Sequence, residues 1–477
     1  MGDGGLDCCR ERAMLAPLRM LRAMSTQYHD TACILSTGDE VTLGQIVDAN
    51  AAWLADGLTS AGVLPVEQAT VPDDAVVIGQ AIRRLAQRAP LIVMSGGLGP
   101  TDADLTRAAM ATLAGDELVV DDAAMAALTE MLGRRGRVVN DRQARQATRP
   151  ASARCLPNPF GTAAGLHVRL PAGRTGAPWD TDVFCLPGPP RELQPMFRDQ
   201  VLPSLRLDPS LTTRTRLLHV LAVPESDVAA RLAHLTRRED VGESPLLAMT
   251  ASGGILTLRA RIRTSAGQSG AGAALDAMES EIRSALGQHV IPGHGQVGVR
   301  GESALASCVV QQLRQSGRSL SVAESCTGGM IGGLVTSVSG SSSAFVGGVI
   351  SYSNELKASL LSVSESDLAT HGAVSEPVAR AMAVGVLNLT GATDALSVTG
   401  IAGPDGGSDA KPVGTVFLGY ASKEASGEVR SDVRKCLVTG DRHDVRQRSA
   451  ISALSMLYFA QAMGFEQSRA VRLNWQV

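Results

Sequence analysis

Aromatic residues are scarce in this chain of 477 residues, where Phe, Trp and Tyr together make up 3%. Its cores must be packed from Ala, Val and Leu, and the 50 glycines supply many tight loops, a texture that suits α/β architecture. No apolar run reaches the ~18 residues that would carry a helix across a bilayer, so no transmembrane helix and no membrane partner are expected. The eight cysteines (8, 9, 33, 155, 185, 308, 326 and 436) include no CxxC pair and no Cys/His set with zinc spacing. They read as buried thiols of a reducing, cytoplasmic compartment. Neither sign of charge dominates: 44 basic side chains face 47 acidic ones, net −3. That excludes a broad electrostatic surface for nucleic acid but leaves room for a local phosphate site.

The opening MGDGGLDCCRERAMLAPLRMLRAMSTQ has neither a long apolar segment nor a small-residue cleavage site. With Met14, Met20 and Met24 inside it, residues 1–28 are expected to be a disordered tail and take no part in the fold.

At ~100–200 residues per domain the length implies about three domains. Over residues 29–204 strand and helix signals alternate. ACILS, LPVEQATV and PLIVMSGG read as strands, with helices over GQIVDANAAWLADGLTSAG and DDAVVIGQAIRRLAQRA. Such alternation predicts a parallel sheet covered on both faces. Residues 205–294 read as strand, helix, strand, strand, helix, with Gly253–Gly254 as a hairpin turn. A third α/β domain is expected over 295–477.

Two regions carry chemistry. In VAESCTGGMIGG, Ser325 comes after an apolar strand and before a helix, at the strand edge where α/β sheets bind ligands. Thr327, Gly328 and Gly329 are expected to leave backbone N–H groups free at the helix start, suited to a phosphate or an oxyanion. A simple serine N-cap is the plain alternative. The next segment, GSSSAFVGGVISYSNELK, brings a Gly-Ser turn at Gly340–Ser342, a strand, then Tyr352, Asn354 and Lys357. A serine hydroxyl needs a base to attack a carbonyl, and a buried lysine can serve because desolvation disfavours its charged form. Ser325 and Ser342 both sit on Gly-flanked turns, so the nucleophile stays open between them. Nearer the N-terminus, STGDE comes directly after the first strand and SGGLGPTDADLT after the third, and two loops on one sheet edge would converge. Gly96 and Gly97 would let the backbone approach a phosphate, Thr101 is a further substrate-binding candidate, and Asp39, Asp102 and Asp104 could hold Mg²⁺ or a similar divalent cation beside it. Helix capping by the aspartates is the alternative here.

AESCTGG, YSNELK, HGAVSEPVA, TGIAGPDGG, KPVGTV and GDRHDVRQ, in that order, resemble the C-terminal domain of the competence-damage-inducible (CinA) family. The resemblance implies hydrolysis of nicotinamide mononucleotide (NMN) to nicotinate mononucleotide and ammonia, without a cofactor. It implies Ser325 as nucleophile, Lys357 as base and Tyr352 as an aid to proton transfer. Ser341 or Ser342 would lie in the oxyanion or phosphate site, and Asn354 beside the substrate. Thr399, Gly400 and Arg442 would contact the nucleotide. With GQIVDANAAWLA, NPFGTAAG and LPGPPREL, the N-terminal loops resemble the MogA/MoaB-like domain of the same family, for which a metal-dependent ADP-ribose pyrophosphatase activity is implied. One position departs from the family pattern: Ala164 stands where Pro is usual. The middle domain resembles the family's KH-like linker and shows no catalytic constellation. A homodimer is expected. The alternative to an enzyme is a nucleotide- or molybdopterin-binding regulator linked to competence or DNA repair.

Overall fold

The structure, a computed structural model, describes residues 28–236, 245–265, 270–292 and 301–477. The expected tail, apart from Tyr28, and the 293–300 part of the linker before the third domain lie outside the described residues. These fall into two compact units, one running to Arg214 with a short return from Arg263, the other comprising Thr215–Ile262 and the chain from Ser269.

The first unit is built on strands β1 (Thr31–Thr37), β2 (Leu64–Val71), β3 (Leu91–Ser95), β4 (Leu118–Val120), β5 (Thr148–Pro150), β6 (Arg154–Leu156), β7 (Gly165–Leu170) and β8 (Thr181–Leu186). Six of them form one sheet in the order β2-β1-β3-β8-β7-β6. The four strands from β2 to β8 run parallel; β7 and β6 add antiparallel at one edge. Side chains alternate between the faces along a strand. Cys33 and Leu35 therefore enter one core, with Ile78, Ile82 and Met110, while Ala32 and Ile34 enter another, with Leu54, Leu58 and Phe197. Burial on both faces explains why these strands read as unbroken apolar runs. The helix Ala49–Ser60 begins at Asp48, whose carboxylate accepts the Ala51 N–H, so it starts about one turn later than a helix over the whole segment from residue 44.

The second unit holds β10 (Leu246–Ser252) and most of β9 (Leu211–Leu221) and β11 (Ile255–Ser265), which form a three-stranded sheet in the order β10-β11-β9. Gly253 and Gly254 make the hairpin turn, and the helix Gly270–Leu286 covers the sheet through Leu275, Met278 and Ile282. The rest of the unit holds β12 (Leu320–Glu324), β13 (Phe345–Ile350), β14 (Asp394–Gly400), β15 (Thr415–Lys423) and β16 (Val429–Leu437), in the order β13-β12-β14-β15-β16. β13, β12 and β14 are parallel, and β15 and β16 are antiparallel additions. Val322, Leu396 and Val398 pack on one face with the helix Arg442–Met463, while Ala323 and Ala395 pack on the other with Val378, Met382 and Val386. The parallel trio sends the loops after β12, β13 and β14 to one common edge, where the third domain gathers its polar groups. Among the described residues, no helix is long and apolar enough to cross a membrane.

Candidate active site

Ser325 stands immediately after β12. Its N–H donates to the Val398 carbonyl at 2.9 Å, extending the β12–β14 ladder by one bond and fixing where the side chain starts. The chain then turns sharply. Gly328 and Gly329 take φ values of +61° and +95°, a conformation that side chains with a Cβ adopt at a cost. The helix Met330–Thr336 starts directly after.

Lys357 comes from the helix Asn354–Leu361 beyond β13, capped by the Ser353 hydroxyl. It is 1% exposed, and Ser325 is 8% exposed, so the pair is shut away from bulk water. Lys357 Nζ lies 3.2 Å from Ser325 Oγ, 2.8 Å from the Ser351 carbonyl oxygen and 3.3 Å from that of Tyr352. None of these three partners is a carboxylate. Burial accordingly lowers the lysine pKa below its ordinary range, against the smaller opposing pull of Cys326 and Glu355. A neutral amine here can give its two N–H bonds to the carbonyls and turn its lone pair to the Ser325 hydroxyl. The neighbouring thiol of Cys326 is pushed up to about 12 by burial, so it stays protonated and belongs to the core.

Tyr352 is exposed, and its hydroxyl accepts a bond from Arg442 Nη2 at 3.2 Å rather than touching Ser325 or Lys357. Arg442 Nη1 also donates to the Gly403 carbonyl at 2.6 Å, tying the loop after β14 to the same rim. Asn354 is exposed on the first turn of the lysine's helix. Thr399 and Gly400 end β14 on the correct edge, with the buried Thr399 hydroxyl donating to the Ala373 carbonyl at 2.8 Å. Thr327 is fully buried, and its hydroxyl has no hydrogen-bond partner among the described residues.

Two expectations need correction. Ser341 and Ser342 precede β13, and β13 pairs parallel with β12 from Phe345 beside Leu320 to Ile350 beside Glu324. They therefore sit at the opposite end of the sheet from Ser325, roughly 16 Å away at about 3.3 Å per strand residue. Ser342 has no access to Lys357. The helix-start amides are also not all free: Gly329 and Ile331 donate to Glu324 Oε2 at 2.9 and 3.2 Å, and Gly332 donates to Oε1 at 2.9 Å. Sequence reasoning misses Glu324, although a carboxylate ending a buried strand ahead of Gly-Gly is the natural partner for a helix N-terminus. It misses Arg446 as well, one turn beyond Arg442, which donates to the Cys326 and Thr327 carbonyls at 3.1 and 3.0 Å.

In the first unit, the loops after β1, β2, β3 and β8 line a cavity of about 760 Å³ that includes Ser36, Thr37, Gly96, Gly97, Thr101, Asp73, Asp104 and Gly188. A Cβ on Gly96 would overlap the Thr37 carbonyl oxygen, so only glycine permits this approach. The buried hydroxyls of Ser36 and Thr37 have no hydrogen-bond partner among the described residues. Asn50 braces the floor, donating to Ser95 Oγ at 2.9 Å and to the Gly188 carbonyl at 2.7 Å. Ala164, where the sequence departs from its resemblance, gives its carbonyl to the buried guanidinium of Arg107 at 2.8 Å. The three expected metal ligands do not converge. Asp102 turns out to Arg145 at 2.8 Å and Arg142 at 3.8 Å. Both oxygens of Asp104 clamp their own loop, accepting from Gly99 N–H, Thr101 N–H and Thr101 Oγ1 at 2.6–2.7 Å. Asp39 exchanges bonds with Asp73 across 3.2 and 3.4 Å. Burial pushes the Asp73 carboxyl up, with Asp39, Glu40 and Asp104 adding to the effect against the bond from the Asp39 N–H. No group of three His, Cys, Asp or Glu side chains among the described residues could hold a metal ion, so the expected aspartates do not fit one.

Three family models match the chain: the CinA C-terminal domain over residues 302–460, a probable molybdopterin binding domain over 33–207, and the damage-inducible protein CinA KH domain over 215–291. A CinA-like protein of Geobacter metallireducens is 38% identical over 427 residues, spanning 89% of this chain and 97% of that protein. One from Frankia casuarinae is 39% identical over 440 residues, spanning 89% and 94%. The crystal structure of the competence/damage inducible protein CihA from Agrobacterium tumefaciens matches at 36% identity and a TM-score of 0.33, covering 35% of this chain and 100% of that one.

Proposed function

The chain belongs to the CinA family, and from that premise we propose that its C-terminal domain is an amidohydrolase that converts NMN to nicotinate mononucleotide and ammonia. The observation that carries this reading is the buried Lys357 amine beside Ser325 Oγ with no carboxylate among its hydrogen-bond partners. Neutral Lys357 takes the Ser325 proton as Oγ attacks the amide carbon. The resulting ammonium returns that proton to the departing nitrogen, ammonia leaves, and an ester to Ser325 remains. Water then attacks the ester with Lys357 again accepting the proton, which it passes to the departing Ser325 Oγ, and the acid product is released and ionises to the carboxylate. In the turn after Ser325, the amides of Gly328 and Gly329 are committed to Ser325 O and Glu324, which leaves the Cys326 and Thr327 N–H groups to meet the oxyanion. Arg442 and Tyr352, joined on the open rim, suit the phosphate end of the substrate. Release of ammonia from NMN by the purified chain tests the reading; an inactive protein that still binds NMN would make it a regulator.

A second reading concerns the N-terminal cavity: cleavage of the pyrophosphate of ADP-ribose to AMP and ribose 5-phosphate. It is favoured by the glycine-only approach at Gly96 and the two unpartnered hydroxyls of Ser36 and Thr37 in a cavity of nucleotide size. No step is assigned to a metal there, because Asp39, Asp102 and Asp104 do not gather around one point.

A further inference from the structure

The turn that carries Ser325 is gripped from two sides by charged groups outside the reacting pair. On one side stands Glu324, 1% exposed. Burying a carboxylate is costly unless its oxygens are satisfied. Here both are, by the backbone N–H groups of Gly329, Ile331 and Gly332 at 2.9–3.2 Å. The positive end of the short helix strengthens these bonds. Glu324 thus occupies, from within the chain, the place a ligand anion would take, and it pins the left-handed Gly329.

On the other side stands Arg446, held on the long helix Arg442–Met463. Its Nε and Nη2 take the carbonyls of Cys326 and Thr327 at 3.1 and 3.0 Å. A trans peptide is planar, and its N–H points opposite to its C=O. By pulling the Cys326 carbonyl toward itself, Arg446 turns the Thr327 N–H away from the helix. By pulling the Thr327 carbonyl, it does the same for the Gly328 N–H, which then closes on Ser325 O at 3.1 Å. A flipped Cys326–Thr327 peptide would present a carbonyl where a donor is needed, and the guanidinium prevents that flip.

We infer that Glu324 and Arg446 are positioning residues that fix the Ser325–Gly329 turn so that the Thr327 N–H is preset for the oxyanion, an inference that rests on the amide-hydrolysis reading of Ser325. An interaction made only in the transition state moves kcat and leaves KM alone.

The test uses the full-length chain with Arg446→Met, Arg446→Lys and Glu324→Gln, each checked by far-UV circular dichroism and melting. kcat and KM for NMN are measured together with amide hydrogen exchange at Gly329, Ile331 and Gly332. The expected result for Arg446→Met is a kcat lowered roughly 100-fold, the scale for losing one oxyanion donor, with KM within about twofold. Arg446→Lys, which can still reach one carbonyl, should recover part of the loss. Glu324→Gln should lower kcat in the same way and speed exchange at the three amides. Folded Arg446→Met and Glu324→Gln with unchanged kcat, or a rise in KM alone, would overturn the inference. If the unmodified chain releases no ammonia from NMN, the functional reading falls by itself. The exchange rates then decide the clamp: unchanged protection in Glu324→Gln overturns it, and lost protection upholds the grip on the turn.

Discussion

Lys357 Nζ lies 3.2 Å from Ser325 Oγ and is held there by the carbonyls of Ser351 and Tyr352. The anchoring carbonyls come from the turn between β13 and the lysine's own helix, so the position of the amine is written into a local β-to-α connection. The serine comes from the parallel neighbour β12, and the ladder between the strands sets the separation.

Ser325→Ala should reduce ammonia release from NMN by at least about 10³-fold, because the bond-forming atom is gone. The fold should survive, since the hydroxyl contributes nothing to the apolar core. Ser342→Ala should keep near-normal turnover, because Ser342 lies at the far end of the sheet. Turnover lost in Ser342→Ala but kept in Ser325→Ala would reverse the assignment.

The acid limb of the pH profile should report Lys357. The working form is the neutral amine, so kcat/KM rises as pH rises through the lysine pKa. Burial sets that midpoint below the ordinary lysine value of 10.5. Lys357→Arg should be inactive across the whole range, because guanidinium does not deprotonate. An acid limb that persists with the same midpoint in a slow Lys357→Met variant would assign it to another group.

Much of this site is legible in the sequence because its parts lie in consecutive βα connections. Ser325 and Lys357 each lie just beyond a strand, and parallel strands bring the loops at their C-terminal ends to one edge. The Ser341–Ser342 turn deceives for the same reason: it looks like the Ser325 turn in sequence, but it precedes its strand and so reaches the other edge. Asp102 looks like a ligand beside Asp104 because nothing nearby shows that Arg145, 43 residues on, takes its carboxylate. Arg446 is invisible because its partners are main-chain carbonyls 119 and 120 residues away. The sheets themselves are readable from apolar runs, whereas the antiparallel edge strands β6, β7, β15 and β16 depend on partners chosen in three dimensions.

A fragment of residues 295–477 should deamidate NMN, since Ser325, Lys357 and Arg442 all lie within it. It should be less stable than a fragment of residues 205–477. Leu221, Ile255 and Ile291 are buried in the same apolar core as Leu313, Val398 and Leu454. At ~1.5–3 kcal/mol for each fully buried aliphatic side chain, their loss should lower the melting temperature by on the order of 10 °C. Equal melting temperatures would show that this shared packing contributes little.

The N-terminal cavity can be separated from the C-terminal chemistry by substitutions that act on one and not the other. Gly96→Ala sets a methyl group against the Thr37 carbonyl at a backbone φ of +103°, so ADP-ribose hydrolysis should be lost while NMN deamidation continues. Asp104→Asn should also lose it, for a reason different from metal binding. An amide offers one acceptor oxygen where the carboxylate uses two, so either the Gly99 N–H or the Thr101 pair loses its partner. That defect lies in the loop, and added metal should not repair it. Asp102→Asn should change little, because its exposed contacts to Arg145 and Arg142 are worth at most about 1 kcal/mol. Chelator is the deciding addition. If it abolishes ADP-ribose hydrolysis and metal restores it, while Asp102→Asn stays active, a cation takes part in the reaction and Asp102 does not hold it. If Asp104→Asn recovers at high metal, Asp104 is a ligand after all, and the clamp seen on Gly99 and Thr101 must open to let the ion in.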